Sequence, residues 1–117
     1  PVEVCPVEIF RESDGLAMSS RNRYLSLEER KAAPVLYQSL KEAEKAVLSG
    51  ERSMEALKEI MRRTISSCVL TKIDYIEILD AETLHSLETL EPGKQAVAAL
   101  AVFFGKARLI DNLILKG

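Results

Sequence analysis

The fold is decided by residues 96–104, which read AVAALAVFF. All nine side chains are apolar, so a strand here would bury both of its faces, which is typical of a central strand. Nine residues are about half of the roughly 20 that a membrane-spanning helix needs, so insertion into a bilayer is not predicted. We expect a covered central strand.

Two further strands flank this one in the sequence. After a turn at residues 105–106, a second strand of the same sheet is predicted over residues 108–114, RLIDNLI. Before residues 96–104, residues 73–79 (IDYIEIL) have the two-residue period of a strand. This strand ends at residues 80–83, which we interpret as a capped helical turn. Residues 91–94 read as another turn. The three strands should form an antiparallel sheet.

Two amphipathic helices precede the sheet. Ser26 and Glu29 have the spacing of a capping box at the start of the first helix, and Gly50 stands where its C-terminal cap is expected. Pro34 predicts a kink, or a short helix followed by a new one. Ser53 is expected to cap the next helix, which should pack on the first as an antiparallel hairpin. Apolar spacing predicts these buried faces: Leu36, Leu40, Ala43 and Val47, then Leu57, Ile60, Met61, Thr64, Ile65 and Cys68.

A short strand and a loop come before the helices. Residues 7–11 are β-prone, residues 13–15 favour a turn, and residues 16–24 show no sustained period. We expect residues 14–23 to be mobile. The predicted class is α+β: an antiparallel three-stranded sheet packed against a helical hairpin, preceded by a short strand and a mobile loop, in a single domain over 1–117.

Composition excludes several classes of protein. The chain has 117 residues, 47% hydrophobic and 29% charged, as expected of one globular domain. Its net charge of -2 gives no support for binding nucleic acid or an anionic membrane. Cys5 and Cys68 lack metal-site spacing and are expected to be free thiols in the cytoplasm. The chain begins at Pro1 without a methionine and with no secretory signal, which suggests a segment of something longer.

The loop carries the candidate chemistry. Ser19, Ser20, Arg21 and Asn22 place hydroxyl, guanidinium and amide donors in four consecutive residues. A guanidinium binds phosphate or carboxylate through two hydrogen bonds, so a triphosphate would fit. A solvated loop whose serine and asparagine side chains only form turns would have the same composition. Local chemistry leaves both interpretations open.

Three motifs carry a family resemblance. They are residues 11–26, RESDGLAMSSRNRYLS; residues 74–78, DYIEI; and residues 105–112, GKARLIDN. With them, essentially the whole chain resembles the C-terminal domain of the pantothenate synthetases, the pantoate-β-alanine ligases. Residues 18–22, MSSRN, are similar to the mobile Lys-Met-Ser-Lys-Ser loop of class I aminoacyl-tRNA synthetases.

The resemblance implies a two-step ligase reaction. Pantoate and ATP would give pantoyl adenylate and pyrophosphate, and the amine of β-alanine would then release pantothenate and AMP, on the pathway to coenzyme A. Ser19 and Ser20 would bind the β- and γ-phosphates, and Arg21 would be the catalytic residue that neutralises the departing pyrophosphate. Phe10 and Met18 would lie against the nucleotide. Mg²⁺ would arrive with the ATP phosphates, without ligands from this chain.

The same resemblance implies that this chain is half of an enzyme. In the family, the nucleotide lies between a doubly wound N-terminal domain and this smaller lid domain. The chain has no counterpart of the His-x-Gly-His motif of that domain or of the pantoate-binding residues. The isolated chain is therefore predicted to be inactive, and the N-terminal domain is the expected partner. A homodimeric parent is compatible with the sequence.

Other polar residues receive structural interpretations. His85 is expected at the surface or its boundary. Asp111 and Asn112 lie in an apolar strand and are expected to form a buried hydrogen-bond node. Glu77 is expected to be hydrogen-bonded within its strand. Arg30 is expected to be a solvated residue of the first helix.

Two other functions are alternatives to a ligase domain. The chain could be a non-catalytic protein-interaction module whose polar loop is incidental. Nucleic-acid binding by residues 21–24 is disfavoured by the near-neutral charge and the few aromatic side chains.

Overall fold

A computed structural model describes residues 11–16 and 25–117. Of the short strand predicted at residues 7–11, only Arg11 lies within these ranges. The described elements, in chain order, are α1 (Leu27–Ala32), α2 (Val35–Leu48), α3 (Met54–Ser66), β1 (Thr71–Asp80), β2 (Gln95–Phe104) and β3 (Ala107–Lys116).

The strands of residues 25–117 form an antiparallel sheet in the order β1-β2-β3, so β2 is central, as its apolar sequence predicts. The side of β2 that joins the main core is lined by Ala96, Ala98, Leu100, Val102 and Phe104. Val97, Ala99 and Ala101, on its other side, are buried as well. Gly105 has a φ of +59° in the turn between β2 and β3, a conformation that glycine adopts without strain. The prediction of a covered central strand is confirmed.

Local signals set where the helices begin. The Ser26 Oγ accepts a hydrogen bond from the Glu29 N–H at 3.1 Å, and the Glu29 carboxylate accepts one from the Ser26 N–H at 2.8 Å. This capping box starts α1. Pro34 follows the end of α1 and precedes α2, so the predicted short helix followed by a new one is confirmed. The Ser53 Oγ accepts from the Ala56 N–H at 3.3 Å and caps α3, as predicted.

The core lies between the helices and one face of the sheet. α2 and α3 pack on each other, α3 contacts β1, and α2 contacts both β2 and β3. All four residues predicted for the buried face of α2 are buried. On α3 the predicted face is too wide, because Ile60 and Thr64 are only half-buried, and Cys68 is half-buried beyond the end of the helix. The predicted class, α+β with an antiparallel sheet against a helical hairpin, is confirmed.

A turn follows β1, and two polar residues near it are exposed. The Asp80 carboxylate accepts hydrogen bonds from the Glu82 and Thr83 N–H groups at 2.8 and 2.9 Å, and the predicted capped turn is confirmed. His85 is exposed, as expected. Glu77 is also exposed, and its side chain makes no hydrogen bond to another described residue, so the predicted hydrogen bond is not found within these ranges. Across the described ranges, no helix combines the length and apolar character that crossing a membrane requires.

Candidate functional site

The residues predicted to bind the nucleotide lie outside the described ranges. They are Phe10, Met18, Ser19, Ser20 and Arg21. The structure does describe the chain on both sides of residues 17–24. We call residues 11–16 the anchor turn, and on the far side Leu25 packs against the core just before α1. The structure therefore shows which contacts hold the chain on either side of residues 17–24.

Three short-range hydrogen bonds close the anchor turn. The Gly15 N–H donates to the Glu12 carbonyl and the Glu12 N–H donates to the Leu16 carbonyl, each at 2.9 Å. The Leu16 N–H donates to the Asp14 carboxylate at 3.3 Å. Gly15 has a φ of +94°, which glycine tolerates and other residues rarely adopt. Leu16 is only 3% exposed and joins the core.

The anchor turn corrects the start of the predicted mobile loop. The sequence predicts that loop over residues 14–23, but residues 14–16 form a hydrogen-bonded turn that ends on a buried leucine. Leu16 is an apolar residue in a polar stretch, and that is the signal for an anchor. The remaining predicted positions, 17–23, lie outside the described ranges.

Arg11 ties the anchor turn to β3. Its Nη1 and Nη2 donate to the two carboxylate oxygens of Asp111 at 2.7 and 2.8 Å. Nη1 also donates to the Gly15 carbonyl at 3.0 Å, and Nη2 to the Asn112 carbonyl at 3.4 Å. The guanidinium carbon lies 4.0 Å from the centroid of the Tyr37 ring. A bidentate pair of this kind fixes orientation as well as distance.

The position of Asp111 follows from the pattern of β3. Leu109, Asp111 and Leu115 alternate along the strand and are buried, so the carboxylate points toward the core. A buried carboxylate needs a partner of opposite charge. The Asp111 side chain is 2% exposed and also accepts a hydrogen bond from the Asn112 N–H at 2.8 Å. The predicted buried hydrogen-bond node is confirmed for Asp111.

The partner of that node was missed by sequence reasoning. Arg11 lies 100 residues before Asp111, and no local spacing connects them. A signal was nevertheless present. Each is a charged residue in a strand-like apolar run, and two such charges can enter one core only as a pair.

A second ion-pair cluster joins the anchor turn to α1. Arg30 donates to the two carboxylate oxygens of Asp14 at 2.6 and 3.3 Å, and to Glu12 at 3.1 Å. The hydrogen bond from Arg30 lowers the pKa of Asp14, and Asp14 in turn raises the pKa of Arg30. The expectation that Arg30 is merely solvated is therefore corrected, because it bridges the two sides of residues 17–24.

We predict that this cluster contributes to acid sensitivity. Because the pKa of Asp14 lies below its ordinary value of 3.8 in the folded chain, its stabilising effect is complete above that pH. The effect is lost as the pH falls from 3.8 through the lower folded value. Asp14→Asn should therefore give a shallower loss of unfolding free energy between pH 4 and pH 2, measured by urea denaturation at each pH. Equal slopes for both proteins would contradict this assignment.

The charged side chains that hold the two sides of residues 17–24 are paired with one another. Arg11 and Arg30 are both neutralised by carboxylates of the chain. Within residues 11–16 and 25–117, no cluster of histidine, cysteine or carboxylate side chains could hold a metal ion. The arrangement fixes where residues 17–24 leave and rejoin the domain.

Comparison with known proteins decides the family. A sequence model described as pantoate-beta-alanine ligase matches residues 1–114. The chain belongs to the pantoate-beta-alanine ligase family. It is 53% identical over 114 residues to pantothenate synthetase from Thermotoga neapolitana and 48% identical over 116 residues to the one from Clostridium botulinum, strain Loch Maree.

These matches span nearly the whole chain but a minor part of each relative. The alignments cover 97% and 99% of this chain, and 40% and 41% of the two relatives. The crystal structure of pantothenate synthetase from Thermus thermophilus superposes with a TM-score of 0.83 at 39% identity, covering all of this chain and 41% of that one. The fold described above is thus one part of the fold found in pantoate-beta-alanine ligases.

Proposed function

We propose that this chain is the C-terminal, ATP-binding lid domain of a pantothenate synthetase. The observation that carries the proposal is the family match, which runs through the Met-Ser-Ser-Arg-Asn segment at 18–22. The described structure supports it, since the anchor turn and α1 hold both sides of that segment. A segment anchored at both sides and rich in donors is suited to closing over a polyanion.

In the proposed reaction, a carboxylate oxygen of pantoate attacks the α-phosphorus of ATP. A new P–O bond forms at the α-phosphorus. The bond from the α-phosphorus to the oxygen that bridges to the β-phosphate breaks, and pyrophosphate leaves. The amine of β-alanine then attacks the acyl carbon of pantoyl adenylate, loses a proton and expels AMP. Negative charge grows on pyrophosphate during the first step, so donors aimed at the β- and γ-phosphates stabilise that transition state.

The predicted site residues contact different parts of ATP. Ser19 and Ser20 donate hydroxyl hydrogen bonds to the β- and γ-phosphates, and Arg21 supplies positive charge to the leaving pyrophosphate. Phe10 and Met18 pack against the nucleotide. ATP enters as co-substrate, with Mg²⁺ coordinated by its phosphates.

The remaining substrates require the rest of the enzyme. The chain spans about 40% of the relatives it matches. We infer that an N-terminal domain is its partner, that this domain orients pantoate, β-alanine and the ribose, and that the enzyme acts in the cytoplasm. Closure of the lid keeps water away from the mixed anhydride.

A titration with an ATP analogue tests the lid role against the alternative of a protein-interaction module. Amide chemical shifts of the ¹⁵N-labelled chain would be recorded while a non-hydrolysable ATP analogue and Mg²⁺ are added. The lid predicts shifts concentrated at Phe10 and residues 18–21. If the chain stays folded and the amide chemical shifts at these positions do not change, the result would favour the protein-interaction module.

A further inference from the structure

We infer that Arg11 and Asp111 close the open edge of the sheet at β3, where they prevent a strand from a second copy of this chain from pairing. This role goes beyond the proposed function and does not depend on ATP. In the order β1-β2-β3, the last strand has a neighbouring strand on one side only among the described residues. Such an edge presents unpaired N–H and C=O groups, which are a template for pairing with another chain.

The backbone of Asn112 shows how the edge is closed. Residues along an antiparallel strand direct their N–H and C=O groups alternately toward and away from the neighbouring strand. The Asn112 N–H donates to the Asp111 carboxylate at 2.8 Å, and the Asn112 carbonyl accepts from the Arg11 guanidinium at 3.4 Å. Both groups therefore face away from β2, and both are occupied by side chains of the same chain. A strand that approached the middle of β3 would find no free partner there.

The guanidinium that occupies this edge is held from several directions. It donates to both carboxylate oxygens of Asp111 at 2.7 and 2.8 Å and to the Gly15 carbonyl at 3.0 Å, and the Tyr37 ring covers it. The Asp111 side chain is 2% exposed, so displacing Arg11 would leave a buried carboxylate without a partner of opposite charge. Strand addition would have to break this pair and is therefore disfavoured.

The two edges of the sheet differ in how regular they are. The pairing of β1 with β2 shifts register between Ile73 and Tyr75. Exposed charged side chains also lie along β1, and they are Lys72, Asp74 and Glu77. Bulges and exposed charges both discourage pairing at an edge. The pairing of β3 with β2 runs from residue 107 to residue 116 without such a shift, and Ile110 is 55% exposed, so β3 is the edge that needs another form of protection.

Stability alone is a poor reason for this ion pair. Replacing a buried ion pair by apolar residues of similar volume is often neutral or stabilising. Leu109, Leu113 and Leu115 of β3 pack in or against the core, so leucine suits this face. A charged residue that points inward is, by contrast, one of the devices that keep edge strands from pairing. Protection of the edge therefore explains Asp111 better than stability does.

Hydrogen exchange of the wild-type chain tests, without any substitution, whether this edge is open. Ile110 and Ile114 alternate with Asn112, so their N–H groups also face away from β2. Their amides should exchange at least about tenfold faster than those of Leu109 and Leu113, which face β2. Equally slow exchange at Ile110 and Ile114 would show that the edge is already covered and would overturn the inference.

A double variant tests whether the ion pair closes the edge. Arg11→Met with Asp111→Leu removes one charge of each sign, so the net charge stays at -2, and the variant should unfold at the wild-type temperature or above. As its concentration rises, its mass measured by light scattering should increase to at least that of two chains, while the wild-type chain keeps the mass of one. A folded double variant that stays monomeric would overturn the inference.

Two further variants locate the contact. Glu59→Leu with Arg62→Met makes the same kind of replacement at a more exposed ion pair on α3, and this variant should remain monomeric. Ile110→Pro, added to the double variant, removes an N–H that faces the open edge, and it should restore the monomer. Equal association of the α3 variant, or continued association of the triple variant, would place the contact elsewhere and overturn the inference.

Discussion

Arg21→Ala is expected to slow formation of pantoyl adenylate by about 10²- to 10³-fold, in a chimera in which this chain replaces the matching 40% of the Thermotoga neapolitana pantothenate synthetase. Loss of one donor to a charge that develops in the transition state costs about 2.7–4 kcal/mol. Arg21 is proposed to meet the leaving pyrophosphate, whose charge grows as the bond to the α-phosphorus breaks. Binding of pantoate should change little, because Arg21 is proposed to contact the leaving pyrophosphate and not pantoate. Pyrophosphate release in single-turnover reactions measures the rate.

The control for this result is another arginine of the same chain. Arg62 lies on the surface of α3 and pairs with Glu59, so Arg62→Ala should leave pyrophosphate release at the wild-type rate. A wild-type rate for Arg21→Ala as well would remove Arg21 from the mechanism. Equal slowing by both substitutions would point to a general effect of lost positive charge.

The second large effect is a complete loss of turnover in the isolated chain, although it folds. We expect cooperative thermal unfolding, because α2, α3 and β2 all contribute buried residues to one continuous core. We expect no AMP from ATP, pantoate and β-alanine, because this chain would contribute only phosphate contacts. Effective concentration of oriented groups can supply about 7–11 kcal/mol in such reactions, and the groups that orient pantoate are proposed to lie in the N-terminal domain.

Two measurements made together check this expectation. Circular dichroism during heating reports folding, and chromatography of the reaction mixture reports AMP. Turnover by the purified chain at a rate near that of the chimera would overturn the division of labour proposed here. A chain that unfolds without cooperativity would contradict the account of its core.

The fold could be predicted well from the sequence because its signals are local. An all-apolar run marked β2 as central, a serine and a glutamate three residues apart marked the start of α1, and Pro34 marked the break before α2. Each depends on residues that are neighbours in the chain, where steric and hydrogen-bonding preferences act directly. The width of the buried stripe on α3 was overestimated, because Ile60 and Thr64 are only half-buried and the helix ends before Cys68.

The supports of the candidate site could not be predicted in the same way. The Arg11–Asp111 pair joins residues 100 positions apart, and the cluster of Arg30 with Asp14 spans 16. Such pairs depend on the final packing of β3 and α1, which no periodicity encodes. The residues of the nucleotide site itself were inferred from the family resemblance, and their roles remain predictions.

Pantothenate formation by the chimera tests the central claim most directly. The claim is that this chain serves as the ATP-binding lid of a pantothenate synthetase, so it should replace the matching part of a relative that is 53% identical to it. With ATP, Mg²⁺, pantoate and β-alanine, we predict pantothenate and AMP in equal amounts, at a rate within about tenfold of the Thermotoga neapolitana enzyme. A folded chimera that binds pantoate but forms neither product would contradict the account.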